Sequence, residues 1–83
     1  MTSRNMNNKT YTLYTARDCK HCKRLAKSLI AGGFDVNIIS IRHNTDAIRF
    51  LQELNLYTVP QLFEDNRLIG GYEDAIKHLN LKG

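Results

Sequence analysis

The sequence predicts one α/β domain, a mixed four-stranded sheet flanked by helices in the order β-α-β-α-β-β-α. Three observations predict it. Segments rich in β-branched and aromatic residues alternate with segments whose apolar residues recur at helical spacing. The glycine pairs Gly32-Gly33 and Gly70-Gly71 punctuate the chain. The length of 83 residues suits a single domain with a small core.

"TYTLYT" (Thr10–Thr15) reads as the first strand. After it, Cys22, Leu25, Ala26, Leu29 and Ile30 fall at i, i+3, i+4, i+7 and i+8, one apolar stripe of a helix. Gly32-Gly33 ends that helix. "FDVNIISI" (Phe34–Ile41) is a second strand, and its Ile38-Ile39 run predicts burial on both faces, as in a parallel sheet. Asn44 or Thr45 caps a second helix with apolar positions Ala47, Ile48, Leu51 and Leu54. "VPQLF" (Val59–Phe63) and "RLI" (Arg67–Ile69) are short strands, and "EDN" between them supplies the turn of a hairpin. Tyr72, Ala75, Ile76 and Leu79 mark a last helix. A strand, a crossover helix and a strand give a right-handed parallel pair, to which the hairpin adds antiparallel strands.

Composition narrows the function classes. The apolar share is 42% and the charged share 24%, ordinary for a soluble domain. No apolar run approaches the roughly 20 residues of a membrane span. Residues 1–9 are polar, lack the apolar stretch of a secretory signal, and read as a short arm ahead of a domain over residues 10–83. The expected compartment is therefore the cytoplasm, where unused thiols stay reduced. The net charge of +4 is local: Arg17, Lys20, Lys23, Arg24 and Lys27 outweigh Asp18, and the charges elsewhere cancel. Such a segment is a solvated helix face, or a field that serves the cysteines or an anionic ligand.

That basic segment, "ARDCKHCKRL", holds both cysteines, Cys19 and Cys22. A metal clip, a structural disulfide and a reactive thiol pair compete for it. Structural zinc usually takes about four Cys/His ligands. Here two cysteines are present, and His43 and His78 show no paired spacing, so the expectation is no metal within one chain. A single bridge closing so small a loop constrains little of the unfolded chain. A Cys-x-x-Cys pair after a strand in a βαβ pattern is a redox signature. Cys22 begins the apolar stripe and is expected to face the core. Cys19 lies a turn earlier, at the helix mouth. Unpaired N–H groups, the helix dipole and nearby Arg17 and Lys20 favour its thiolate. They are expected to bring its pKa below the free value of about 8.5. Cys19 then attacks and Cys22 resolves.

"YTARDCKHC", "TVPQLF" and "GGYEDA" together resemble the glutaredoxins, small members of the thioredoxin fold. The likeness covers Thr10 to about Leu81. The resemblance implies a glutathione-dependent thiol–disulfide oxidoreductase acting on protein disulfides and glutathione mixed disulfides. It has no tightly bound cofactor, with glutathione as reducing co-substrate, and ribonucleotide reductase as one acceptor. It implies Cys19 as nucleophile, Cys22 as resolving thiol, and a cis bond between Val59 and Pro60. Thr58, Val59 and Pro60 then line the cysteinyl part of glutathione. Gly71, Tyr72, Glu73 and Asp74 hold its γ-glutamyl end: backbone N–H groups take the carboxylate and Asp74 the ammonium. Lys20-His21 stands where many relatives have Pro-Tyr, and Ala16 where many have a lysine for the glycyl carboxylate. Arg17 or Lys20 takes that role, while His21 shapes the cleft or donates to the Cys19 sulfur. The expected protein is a monomer.

Two other classes remain. One is a glutaredoxin-like redoxin reduced by thioredoxin reductase, whose relatives usually differ where "GGYED" stands. The other is a non-enzymatic module whose basic helix meets nucleic acid. The helix lacks the interleaved aromatics of such surfaces, so neither a nucleic-acid nor a membrane partner is expected.

Overall fold

A computed structural model describes residues 9–81. The expected polar arm, apart from Lys9, lies outside the described residues. The elements follow the expected order: β1 (Tyr11–Thr15), α1 (Lys20–Ala31), β2 (Val36–Ser40), α2 (Thr45–Glu53), β3 (Gln61–Glu64), β4 (Arg67–Gly70) and α3 (Tyr72–Leu79). The sheet order is β2-β1-β3-β4. β1 and β2 run parallel, with Leu13 opposite Ile38. β3 is antiparallel to both β1 and β4. This is the thioredoxin-like arrangement, a mixed sheet with three helices.

Strand alternation divides the core. Tyr11, Leu13 and Leu62 face one side and pack with Leu25 and Leu29 of α1 and Ala75 of α3, all six fully buried. Tyr14 and Phe63 face the other side, where their rings meet Phe50 of α2 at 5.8 and 5.5 Å. The helix ends obey their local chemistry. The Asn44 side chain accepts from the Ala47 N–H and caps α2. At the end of α1, Gly33 and Phe34 donate back to Ile30 and Leu29, a Schellman closure. Gly33 has φ +80°, which glycine adopts without a Cβ penalty.

Sequence expectations about apolar positions require correction in β2, α1 and α2; in α2, Ile48 and Leu54 remain 37% and 44% exposed, and Leu54 is the C-cap beyond the helix. β2 is not buried on both faces. It is an edge strand, and Ile38 remains 48% exposed. A strand with one neighbour sits at the margin of the helical layers, so an apolar run does not guarantee cover on both sides. Ile30 is also outside the core, 59% exposed. It lies about 100° around the helix from Leu29, past the seam formed by Cys22, Leu25 and Leu29.

Glu64 is a polar tie within this core. Its carboxylate accepts from the Tyr11 hydroxyl at 2.8 Å and from the Lys9 ammonium at 3.3 Å, and meets His78 Nε2 at 3.2 Å. It therefore joins β1, β3 and α3. Burial pushes its pKa up, but the hydrogen bonds from Tyr11, Lys9 and His78 and the Lys9 charge outweigh burial and leave it below 4.5.

Candidate active site

Cys19 is the N-cap of α1, with extended φ −101° and ψ 108°. Its sulfur accepts from the Cys22 N–H at 3.2 Å, the contact a thiolate would use at a helix mouth. Asp18 precedes it with φ 62°, a left-handed turn that aspartate tolerates better than most residues. Cys22 is 2% exposed at the head of the buried seam, whereas Cys19 is only partly covered. The two sulfurs are joined as a disulfide, with Cα atoms 5.2 Å apart. The accessible sulfur is therefore Cys19, as the position at the helix mouth predicts.

The second wall comes from the loop before β3. The Val59–Pro60 bond is cis. The Val59 backbone oxygen lies 3.9 Å from the Cys19 sulfur. Gln61 fixes this loop from within: its amide donates to the Thr58 backbone oxygen at 3.2 Å and hydroxyl at 3.3 Å. Gln61 is 6% exposed and was not among the sequence candidates. Its signal in the sequence is a single polar residue within the apolar strand segment "VPQLF".

The third wall is the mouth of α3. Gly71 is its N-cap and makes no side-chain capping bond. A Cβ placed on Gly71 would sit 3.6 Å from the Pro60 oxygen, an ordinary contact. The crowded position is Gly70 instead, where φ is +130° and a Cβ would overlap the Asp74 carboxylate. The His21 and Tyr72 rings lie 5.1 Å apart and tilted by 52°, so they bridge the mouths of α1 and α3. The neighbour of the His21 ring is thus Tyr72. Glu73 and Asp74 lie exposed in the first turn of α3. Arg17 and Lys20 are exposed beside the thiol pair; Arg17 lines one hollow with Cys22 and a second with Arg42.

Among the described residues, no group of three or more His, Cys, Asp or Glu is arranged to hold a metal ion. None of their helices is long and apolar enough to cross a membrane.

A mixed sheet carrying a Cys-x-x-Cys pair at the mouth of its first helix defines the class, the thioredoxin-fold proteins with a paired-cysteine site. Comparison narrows it. The glutaredoxin family model matches residues 11–69, and the chain belongs to that family. The "Gene 56 protein" of Mycobacterium phage L5 is 33% identical over 64 residues, covering 75% of this chain. The match spans 62% of that relative's length. Glutaredoxin 1 from Francisella tularensis, solved with cacodylate, superposes with TM-score 0.70 at 25% identity over 87% of this chain and 98% of its own. The glutaredoxin-like NrdH-redoxin of Escherichia coli, described as having a thioredoxin-like activity profile, gives TM-score 0.74 at 19% identity, covering 89% and 97% of the two chains. A buckwheat glutaredoxin–glutathione complex gives 0.74 at 24% identity, covering 89% and 71%. At these last two identities the likeness concerns the fold.

Proposed function

We propose that the protein is a glutathione-dependent thiol–disulfide oxidoreductase that reduces protein disulfides and glutathione mixed disulfides. The observation that carries the reading is the asymmetry of the pair. Cys19 is reachable, accepts a helix N–H and faces the Val59 carbonyl, while Cys22 is buried one turn behind it.

In the reduced protein the Cys19 thiolate attacks one sulfur of a substrate disulfide. A mixed disulfide forms and the other substrate sulfur leaves as a thiolate that takes up a proton. Cys22 loses its proton, attacks Cys19, and releases the second substrate thiol. Two electrons have passed to the substrate, and Cys19–Cys22 is left as the disulfide. One glutathione thiolate then opens that disulfide at Cys19. A second removes the first as glutathione disulfide and restores the dithiol.

Glutathione fits the walls of the site. Its cysteinyl backbone pairs with Val59 as a short added strand, beside Thr58 and Pro60. Its γ-glutamyl carboxylate meets the N–H groups of Tyr72 and Glu73 beyond Gly71, and its ammonium meets Asp74. Arg17 or Lys20 meets the glycyl carboxylate. The buckwheat complex supports this choice of co-substrate at the level of the family. The reading includes a cytoplasmic monomer with ribonucleotide reductase as one acceptor.

The NrdH-redoxin likeness supports a second electron source, thioredoxin reductase, because its superposition is as good as the buckwheat one. A coupled assay decides. Disulfide reduction is followed with glutathione, glutathione reductase and NADPH, and in parallel with thioredoxin reductase and NADPH. Turnover is expected with glutathione, and Cys19→Ser abolishes it. Efficient turnover with thioredoxin reductase alone assigns the protein to the redoxins.

A further inference from the structure

An apolar groove of about 400 Å³ begins at Val59 and runs past Leu56 and Tyr57 to Ile41, Ile48 and Leu51. Tyr57 is 71% exposed and Ile48 37%. At its far side Ile41 and Ile48 also line a second hollow of about 480 Å³, whose rim adds Arg17, Arg42 and His43 against Asp18. The surface is therefore continuous: the thiol pair, then Val59, then apolar side chains, then a rim with two guanidinium groups and one carboxylate. Of this path, the glutathione reading uses only Thr58 and Val59 and the packing of α2 buries Leu51, which leaves Tyr57 and Ile48 exposed along it.

We propose that the groove docks a substrate protein whose reactive cysteine is followed by a large apolar residue and then by acidic residues. The inference rests on the glutathione reading for its direction. With the γ-glutamyl end at α3, the chain beyond the cysteinyl residue leaves on the other side of Val59. Gly71 stands beside Pro60, whereas Thr58 and Tyr57 lead into the groove. A residue after the cysteine thus meets Tyr57, Leu56 and Ile48. An extended chain advances about 3.3 Å per residue, so acidic groups further on reach the side of Arg17 and Arg42. Burial of the apolar side chain supplies affinity, and the cationic rim sets register and rejects basic sequences. Glutathione, which ends at its glycyl carboxylate, leaves the apolar part of the groove unfilled.

The test needs no glutathione. Pre-reduced protein is mixed with the symmetric disulfide of a short capped peptide, and oxidation of the protein is followed in a single turnover. One peptide disulfide becomes two peptide thiols as Cys19 and Cys22 become the disulfide, so electrons and protons balance. Three peptides are compared, with cysteine followed by phenylalanine–glutamate, serine–glutamate or serine–lysine. Hydroxyethyl disulfide serves as the small neutral reference. The phenylalanine–glutamate peptide is expected to react about tenfold faster than the serine–glutamate peptide, the size of effect given by burying part of one apolar side chain. Tyr57→Ser and Ile48→Ser should erase that advantage. Arg42→Glu should erase the preference for glutamate over lysine. All three variants should retain the wild-type rate on hydroxyethyl disulfide. Equal rates for the three peptides, or variants that slow hydroxyethyl disulfide as much as the peptides, overturn the docking surface and leave the redox reading intact. A wild type inert toward hydroxyethyl disulfide removes the redox reading and the docking surface together.

Discussion

Replacing Glu64 with glutamine keeps the shape of the side chain and removes its charge. The partners differ in exposure. The Tyr11 hydroxyl bond of 2.8 Å is buried, whereas the Lys9 and His78 side chains are 41% and 49% exposed. A buried hydrogen bond to a charged group contributes about 1.5–3 kcal/mol. The exposed Lys9 ammonium contributes less, about 0.2–1 kcal/mol after solvent screening, and the exposed His78 ring adds a hydrogen bond. The glutamine oxygen can still accept from Tyr11, so part of the larger contribution survives. Burying the carboxylate opposes all three. The expected net loss is about 2 kcal/mol at pH 7, or about 8–16 °C in melting temperature for a domain of this size. The sign of the pH dependence follows from the lowered folded pKa. The unfolded chain titrates near 4.5 and the folded one below it. The stabilisation is therefore fully present above 4.5 and disappears as pH falls through the folded value. Urea unfolding of both proteins from pH 7 down to pH 3 measures it. The gap should stay constant down to about pH 5 and then narrow. A gap that is small at pH 7, or that does not change with pH, refutes the account of Glu64 as an ionised tie.

Three further outcomes are expected. Cys22→Ser should still remove glutathione from glutathionylated substrates but fail on protein disulfides, because only the latter need attack from within; equal loss of both activities, read by the coupled assay, counts against the division. Asp74→Ala should raise the KM for glutathione by about five- to thirtyfold through one lost charge-assisted bond, with the rate on hydroxyethyl disulfide in single turnover unchanged. Gly70→Ala should destabilise the fold by about 1–3 kcal/mol, because φ +130° and the Asp74 carboxylate both exclude a Cβ; Gly71→Ala, whose Cβ would make an ordinary contact, should lose less in the same urea titration.

Whatever depends on neighbours along the chain was legible in the order of the amino acids. The spacing of Cys22, Leu25 and Leu29 specified a helix with a buried seam, and the position of Cys19 before it specified a half-exposed sulfur at the N-cap. Asn44, Gly33 and the Gly70-Gly71 break mark ends through local backbone chemistry, so the element order was legible without the fold. Tertiary structure decided what depends on distant partners. Glu64 and Tyr11 are 53 residues apart, and the Cys19 sulfur meets a carbonyl 40 residues away. No local period encodes those meetings. The same reason explains the expectations that were missed. Ile38 and Ile30 carry the apolarity of buried residues, but strand order and helix rotation leave them at a margin. Gln61 reads as one polar residue in a strand, and its use emerges only when its amide meets Thr58 below the cis Val59–Pro60 bond. His21 sits beside two cysteines in sequence, yet its neighbour in space is Tyr72, because α1 and α3 pack side by side and bring their mouths together.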